Sequence, residues 1–419
     1  MIKKLKPKSE FSRNVLTLMT GTTIAQAIPI GISPILTRLY TPEDFGLLTL
    51  FVAITSIFGS IANARYELAI MLPKKDEDAI NIFALGFIIT SVISLMLLVL
   101  VFVFHNYFVT VLNNEKIGAW LYFVSIAVFF TGIFNILNYF NNRKKYYRGI
   151  AKATIFKSVI TAVIQLSVGF LKGGVGGLIS GQLISQMFAN IRLLKSIRND
   201  EVLLSKISKV KIIALAKKYK DFPKFTLWAG LANTLSVHLT NILISLLYSV
   251  TTLGFYSLVQ RLLGMPSALI GGSIGHVFFQ EATKEKQLTG STKKSFNATL
   301  KKLLIIGLPS FAILYFIVEE LFAFAFGEEW RVAGVYAEKT IPLFFISFVV
   351  RPLTITNQIN LKNKLGMQWQ FGLFLLYMSI IYLSDYLELP FVETLNVIVF
   401  VISAYYLYFL FLINKHVKR

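Results

Sequence analysis

The chain has 419 residues and no cysteine, which excludes a disulfide framework and any thiolate metal site. Its four histidines are scattered at no metal-ligand spacing, so we expect no metal site. The sequence also contains no Walker loop, nucleophile elbow or dinucleotide fingerprint, and therefore predicts no cofactor and no catalytic residue. Only 15% of the residues are charged and 55% are hydrophobic. This composition indicates a polytopic membrane protein.

Apolar segments with at most one internal charge recur along the whole chain. A hydrocarbon core about 30 Å thick needs roughly 20 helical residues, and most of these segments approach or exceed that length. The predicted fold class is therefore all-α, with about 12 transmembrane helices. The predicted spans are residues 15–36, 45–64, 79–104, 117–142, 153–171, 173–191, 225–247, 254–279, 303–318, 340–359, 367–383 and 394–413.

The basic residues are distributed unevenly between the two sides of this arrangement. Of the 42 Lys and Arg residues, 34 lie in connections on one side and 4 lie on the other. The positive-inside rule assigns the richer side, which carries both termini, to the cytoplasm. The net charge of +21 is thereby explained by membrane orientation, and no nucleic-acid partner is expected. No small-residue cleavage site follows the first apolar run, so we expect a retained span and not a signal peptide.

A weak internal repeat appears at a shift of 208 residues. Residues 39–50 align with residues 247–258, with identical Leu, Tyr, Gly and Leu and two Thr/Ser exchanges. The shift equals six spans, so the repeats run in the same direction through the membrane. We predict two pseudo-symmetric six-helix bundles around a central cavity: an N-terminal lobe (1–191), a basic cytoplasmic linker (192–224) and a C-terminal lobe (225–419). The spacing of basic and apolar residues in the linker is typical of an amphipathic helix that lies on an anionic leaflet.

Basic residues in or beside the spans are the first candidates for function. A Lys or Arg near a helix centre costs roughly 2.5 to 3.5 kcal/mol and persists mainly where it faces water, a partner or a substrate. Snorkelling to the cytoplasmic surface is an equal alternative for Lys157, and interfacial anchoring is one for Arg38. The candidates for a cationic, substrate-binding cavity are Arg38, Arg65, Lys157, Arg261 and Arg351.

The arginines of the second half have distinctive neighbours. Arg261 precedes Gly264, Met265 and Pro266, so span eight is expected to bend or break there. Arg351 precedes Pro352 near the middle of span ten. The alternative for both is a structural ion pair with Glu319 or Glu320.

Acidic residues are the candidates for ion coupling. Glu67 is a possible proton acceptor, with Glu319 and Glu320 as further possibilities. Arg65 and Glu67 are two positions apart and would not share a helix face, so they need not neutralise one another.

Three segments near the start resemble a known family: the basic tail that ends in Phe11-Ser12-Arg13-Asn14, the loop from Leu36 to Gly46, and the segment from Arg65 to Pro73. They look like those of Wzx-type oligosaccharide flippases, also called polysaccharide biosynthesis proteins. These belong to the superfamily of multidrug, oligosaccharidyl-lipid and polysaccharide exporters. The resemblance at the level of motifs covers about the first eighty residues.

The resemblance implies a non-enzymatic transporter in the bacterial inner membrane. Its substrate would be an oligosaccharide repeat unit linked to undecaprenyl diphosphate, moved to the outer leaflet for a surface polysaccharide such as lipopolysaccharide O-antigen. A cationic cavity between the lobes would hold the diphosphate. Membrane lipids, a polysaccharide polymerase and chain-length proteins are the implied partners.

Two other functions remain open from the sequence. A drug exporter of the same superfamily would be expected to embed acidic residues, whereas the embedded charges here are mainly basic. A membrane polysaccharide polymerase or ligase should carry a sizeable outer loop with acid and base groups, and the outer connections here are short. A peptidoglycan-lipid flippase would usually have two further helices.

Overall fold

A computed structural model describes residues 10–198, 201–266, 270–360 and 362–417, and within these ranges every regular element is a helix. The chain forms two compact units, Met1–Ile242 (unit 1) and Leu243–Arg419 (unit 2). The predicted boundaries at 191/192 and 224/225 remain a prediction. Within the described residues each of the twelve predicted spans overlaps one or two helices, so the all-α membrane fold is confirmed.

The helices of unit 1 are closely spaced in sequence. They are α1 (Glu10–Gly31), α2 (Ser33–Leu39), α3 (Pro42–Gly59), α4 (Tyr66–Ala69), α5 (Asp76–Val111), α6 (Gly118–Arg143), α7 (Tyr147–Phe170), α8 (Val175–Arg198), α9 (Glu201–Leu204), α10 (Lys209–Lys218) and the greater part of α11 (Leu227–Leu247).

The helices of unit 2 repeat the same pattern of long segments and short connections. They are α12 (Val250–Pro266), α13 (Gly272–Thr289), α14 (Lys293–Phe326), α15 (Arg331–Leu353), α16 (Thr356–Ile359), α17 (Asn363–Tyr386) and α18 (Phe391–Val417). The predicted break of span eight includes residues 267–269, which lie outside the described residues.

Eight of the described helices are long and apolar enough to cross a membrane: α3, α5, α6, α7, α11, α14, α15 and α18. The outer face of α5 shows why lipid is the expected surroundings. Leu95, Met96, Phe102 and Val103 are each more than 60% exposed on this helix. Exposed apolar rows of this length are unfavourable in water and are satisfied by acyl chains. The chain is therefore a multi-pass membrane protein.

The turn before α3 shows how local chemistry starts a membrane helix. Thr41 Oγ1 accepts a hydrogen bond from the Asp44 backbone N–H at 3.2 Å, and the Asp44 carboxylate accepts one from the Thr41 backbone N–H at 3.0 Å. This capping box satisfies backbone donors that the helix leaves free, and Pro42 occupies the first helical position, where no donor is needed. The N-terminal end of α3 is thereby fixed.

The internal repeat has a structural counterpart in the turns after α2 and α11. The Tyr40 hydroxyl donates to the Gln165 carbonyl of α7 at 2.6 Å, and the Tyr248 hydroxyl pairs with Thr394 Oγ1 of α18 at the same distance. The aligned tyrosines therefore tie matching turns to a late helix of their own unit. Tyr40 also fits tightly against α8, where a Cβ at Gly177 would lie 2.1 Å from its hydroxyl. Gly177 thus allows close packing of the Tyr40 side chain against α8.

The linker between predicted spans six and seven packs against unit 1. The Asn81 side chain of α5 donates to the Lys206 carbonyl at 3.0 Å and accepts from the Ser208 backbone N–H at 2.8 Å. Leu215 of α10 is buried in the same apolar core as Ile80 and Phe140. Val210 stays 76% exposed on the other side of α10. Contact of that side with an anionic leaflet remains a prediction.

Candidate functional site

The turn between α3 and α5 carries two of the predicted residues. Ala64 and Arg65 both adopt the left-handed conformation, with φ of 47° and 64°. Such backbone is strained for residues other than glycine and is often found at functional sites. It turns the Arg65 side chain toward Glu67, with Nη1 3.6 Å from Oε1. The expectation that these two residues would not face one another is therefore wrong, because it assumed continuous helical backbone.

The Arg65–Glu67 pair is largely enclosed by protein. The guanidinium lies against the backbone of α11, where a Cβ at Gly230 would stand only 1.8 Å from Arg65 Nη2. Glu67 is 4% exposed, and burial raises the pKa of its carboxyl, opposed by a backbone hydrogen bond and by the Arg65 guanidinium. Arg65 Nε and Glu67 Oε2 are buried without a hydrogen-bond partner among the described residues. The hydrogen-bonding capacity of the pair is thus only partly used by the described residues.

Arg38 lies in the last turn of α2 with an exposed side chain. A positive charge there is favourable because the carbonyl end of a helix carries partial negative charge. Within the described residues no carboxylate lies within 4 Å of its guanidinium. Its position fits both interfacial anchoring and a role in substrate binding.

Lys157 lies deep within α7, roughly 15 Å along the helix axis from Tyr147. Its ammonium is directed toward α8 and not toward the N-terminal end of α7. It donates to the Gln186 side-chain oxygen on α8 and lies 5.8 Å from the ring centroid of Phe134. These groups border a pocket inside unit 1. The snorkelling alternative is therefore not what the structure shows.

Arg351 lies among tyrosines in unit 2. Its Nε donates to the Tyr406 hydroxyl of α18 at 3.2 Å, and Tyr377 of α17 is close enough to interact with it electrostatically. Tyr256 of α12 in turn interacts with Tyr377. Four helices thus contribute to a cluster around an arginine whose side chain remains exposed. The other donors of that guanidinium fork are suited to oxyanions.

The expected place of Arg351 along its helix needs correction. It was expected near the middle of span ten, but α15 runs from Arg331 to Leu353, and Arg351 lies in its last turn. The helix begins earlier than predicted, since Glu338 and Lys339 do not interrupt it. Arg261 does lie inside its helix, α12, and its side chain is half-buried.

Glu319 and Glu320 belong to a different group of charges. Arg331 contacts both, with Nη1 3.3 Å from Glu319 Oε1 and 2.7 Å from Glu320 Oε1, and its Nε lies 2.8 Å from Glu328 Oε2. The alternative in which these glutamates neutralise Arg261 or Arg351 is not what the structure shows. Their predicted part in ion coupling remains a prediction.

Lys157, Arg261 and Arg351 share one property within the described residues: no carboxylate lies within 4 Å of any of them. Lys157 and Arg351 are held by neutral oxygens, those of Gln186 and Tyr406, which sequence reasoning did not select. The spacing of residues in the sequence does not predict either partner, because each partner lies on another helix. The expectation that all five cations line one central cavity remains a prediction.

The long apolar helices of the two units first define the class of protein. The chain has the fold of transporters of the MOP superfamily, as three solved structures show. Lipid II flippase MurJ in an inward closed conformation has a TM-score of 0.73 at 13% identity, covering 94% of this chain and 87% of that one. An inward-facing multidrug resistance MATE family transporter has a TM-score of 0.55 at 14% identity, with coverages of 96% and 95%.

A third similar structure is a MOP superfamily transporter from Pyrococcus furiosus Vc1 described as having a binding pocket of reverse polarity. It has a TM-score of 0.57 at 12% identity and covers 97% of this chain and 95% of that one. No curated protein matches the chain in sequence. The family model for "Polysaccharide biosynthesis protein" matches residues 35–334. The chain belongs to this polysaccharide biosynthesis protein family.

Proposed function

We propose that the protein is a Wzx-type flippase. It moves oligosaccharide repeat units linked to undecaprenyl diphosphate from the cytoplasmic to the outer leaflet of a bacterial inner membrane by alternating access, for synthesis of a surface polysaccharide such as O-antigen. Both termini lie in the cytoplasm, and the transport step makes and breaks no covalent bond. The observation that carries the proposal is a pair of arginines in apolar segments, Arg261 and Arg351, that have no described carboxylate within 4 Å.

The chemistry of the substrate requires such groups. A hydroxyl or amide that loses its water without a new partner costs roughly 2 to 7 kcal/mol, so a sugar chain needs a polar path through the membrane. Arginine forks bind phosphate oxygens with two parallel hydrogen bonds. With a negative cytoplasm, outward movement of each negative charge gains roughly 2.3 kcal/mol per 100 mV. Cationic interior groups and the membrane potential thus both favour export of a diphosphate.

We assign Arg261 and Arg351 to the diphosphate. Arg351 is already oriented by Tyr406 and keeps further donors, so it needs little rearrangement to accept an oxyanion. Arg38 and Arg65 are further substrate contacts in this proposal, and Glu67 exchanges a proton as Arg65 changes partners. Lys157 stands apart, because its ammonium faces a pocket inside unit 1.

A flipping assay in liposomes tests the proposal. Purified protein is reconstituted with a lipid-linked oligosaccharide, and the fraction that becomes accessible to an added lectin or glycosidase is followed with time. We expect accessibility to rise faster than in protein-free liposomes and Arg351→Ala to lose the increase. Transport of organic cations without flipping would favour the drug antiporter. A change in glycan length would favour a polymerase or ligase.

A further inference from the structure

Unit 1 contains a pocket of about 190 Å³ between α3, α6, α7 and α8. Its lining is mostly apolar and includes Phe51 and Phe134, with Lys157 and Gln186 among its polar residues. Pockets for drug-sized ligands have volumes of about 300 to 1,000 Å³. The pocket is therefore too small for a sugar diphosphate and large enough for a small ion with a few waters, each of which fills about 30 Å³ in the liquid.

Two polar atoms of this pocket have no partner among the described residues. Gln186 is 8% exposed; its side-chain oxygen accepts from Lys157 Nζ, and its Nε2 amide is buried without a hydrogen bond. Thr55 Oγ1, from α3, is likewise buried without one. Buried polar groups are nearly always hydrogen-bonded in folded proteins. An ammonium, an amide N–H and a hydroxyl, all able to donate, thus border the same space.

The charge of Lys157 identifies the kind of occupant. Its described neighbours are a neutral amide and the face of Phe134, and no carboxylate lies within 4 Å. A buried cation is stable when an opposite charge is beside it. We infer that this pocket binds a small monovalent inorganic anion, of which chloride is the probe, held by Lys157, Gln186 and Thr55. The described lining of this pocket does not include Arg261 or Arg351, the proposed diphosphate contacts.

Binding of radiolabelled chloride to the purified full-length protein tests this inference, with gluconate as the replacement anion. We expect one saturable equivalent for the wild type. Lys157→Met keeps the length of the side chain and removes the charge, so chloride binding should weaken about tenfold or more. Lys152→Met is the matched control, because Lys152 is exposed on the same helix; its binding should equal that of the wild type.

Folding of the variants is checked by the midpoint of thermal unfolding in gluconate. Added chloride should raise this midpoint for the wild type and for Lys152→Met and leave Lys157→Met unchanged. Gln186→Leu is the second variant, and it should also bind chloride more weakly, since it removes both amide contacts. Absence of saturable binding in the wild type, or equal binding in Lys157→Met, would overturn the inference.

Competition distinguishes this site from the substrate site. Bromide and nitrate should displace chloride, and a lipid-linked diphosphate should not. Displacement by the lipid would show that Lys157 belongs to the substrate site and would overturn the separate anion site while leaving the flippase proposal intact. If the wild-type protein binds chloride but does not flip the lipid-linked oligosaccharide, the flippase proposal is overturned and the anion site remains.

Discussion

The same sequence signal, a basic residue in an apolar run, leads to different surroundings in the two units. In unit 1, Lys157 lies deep within α7 and contacts an amide oxygen at the edge of a small pocket. In unit 2, Arg351 lies in the last turn of α15, is held by a tyrosine hydroxyl and has an exposed side chain. Enclosure suits a small ion that stays, whereas exposure suits a large head group that must arrive and leave. Position along the helix and the identity of the partner decide between these roles.

Other features of the units are much more alike. Tyr40 and Tyr248 follow helix ends at matching points of the repeat, and each is tied to a late helix of its own unit. The side chains at the next positions, Thr41 and Ser249, each bond to the residue three positions later. The repeat thus preserves the turns that position helices, while the interior charges differ. The two units thus share a hydrogen-bonded turn and differ in the surroundings of Lys157 and Arg351.

The largest expected effect comes from the exposed arginine. Arg351→Ala removes a fork of charged donors, each worth about 1.5 to 3 kcal/mol in a charge-assisted hydrogen bond. We therefore expect surface polysaccharide to be lost in cells, and binding of a lipid-linked diphosphate to weaken about tenfold or more. Arg261→Ala should act in the same direction. Immunodetection of the polysaccharide and a binding titration measure these effects.

The control for this prediction is Arg331→Ala. Arg331 pairs with three glutamates at an exposed cluster, so its removal should leave export near the wild-type level. Lys157→Met should weaken diphosphate binding less than Arg351→Ala does. An equal loss of diphosphate binding in these two variants would contradict the separate roles proposed for Lys157 and Arg351.

A second prediction concerns Glu67, in the strained inner turn of unit 1. Burial raises the pKa of its carboxyl, so it takes up a proton at a higher pH than an exposed glutamate does. As pH falls, the negative charge facing Arg65 is lost, and the guanidinium is released for another anion. Flipping by the wild type should therefore change severalfold across the mildly acidic range. Glu67→Gln should show a flatter profile in liposomes buffered at each pH.

Glu43→Gln is the matched control for that profile. Glu43 accepts from Lys116 at 2.7 Å at the opposite end of α3, and its removal should not alter the pH dependence. A Glu67→Gln profile with the same slope as the wild type would exclude Glu67 as the coupling group.

The helices were predictable because charge-free apolar runs and alternating basic loops each follow from membrane physics. Their ends were not: α14 continues from Lys293 to Phe326, since helical hydrogen bonding does not stop where hydrocarbon does. Only part of the candidate site could be predicted from the sequence. Arg65 and Glu67 were found, yet their pairing depends on a left-handed backbone that residue spacing does not report. Gln186 lies 29 positions from Lys157, and only the packing of α7 on α8 joins them.

The smallest expected effect concerns the contribution of the two repeat turns, those of Tyr40 and Tyr248, to the stability of the protein. Tyr40→Phe removes a buried hydrogen bond to the Gln165 carbonyl, which keeps its helical N–H donor, and should cost about 1.5 kcal/mol, whereas Tyr248→Phe removes a part-buried bond and should cost about 0.5 to 1 kcal/mol. The second loss is smaller because Thr394 Oγ1 retains the Pro390 carbonyl as a partner. The midpoint of unfolding in detergent should therefore fall further for Tyr40→Phe than for Tyr248→Phe. The reverse order would mean that the Tyr248 hydrogen bond contributes more to stability than the Tyr40 hydrogen bond. The two turns would then be alike in geometry but not in their contribution to stability.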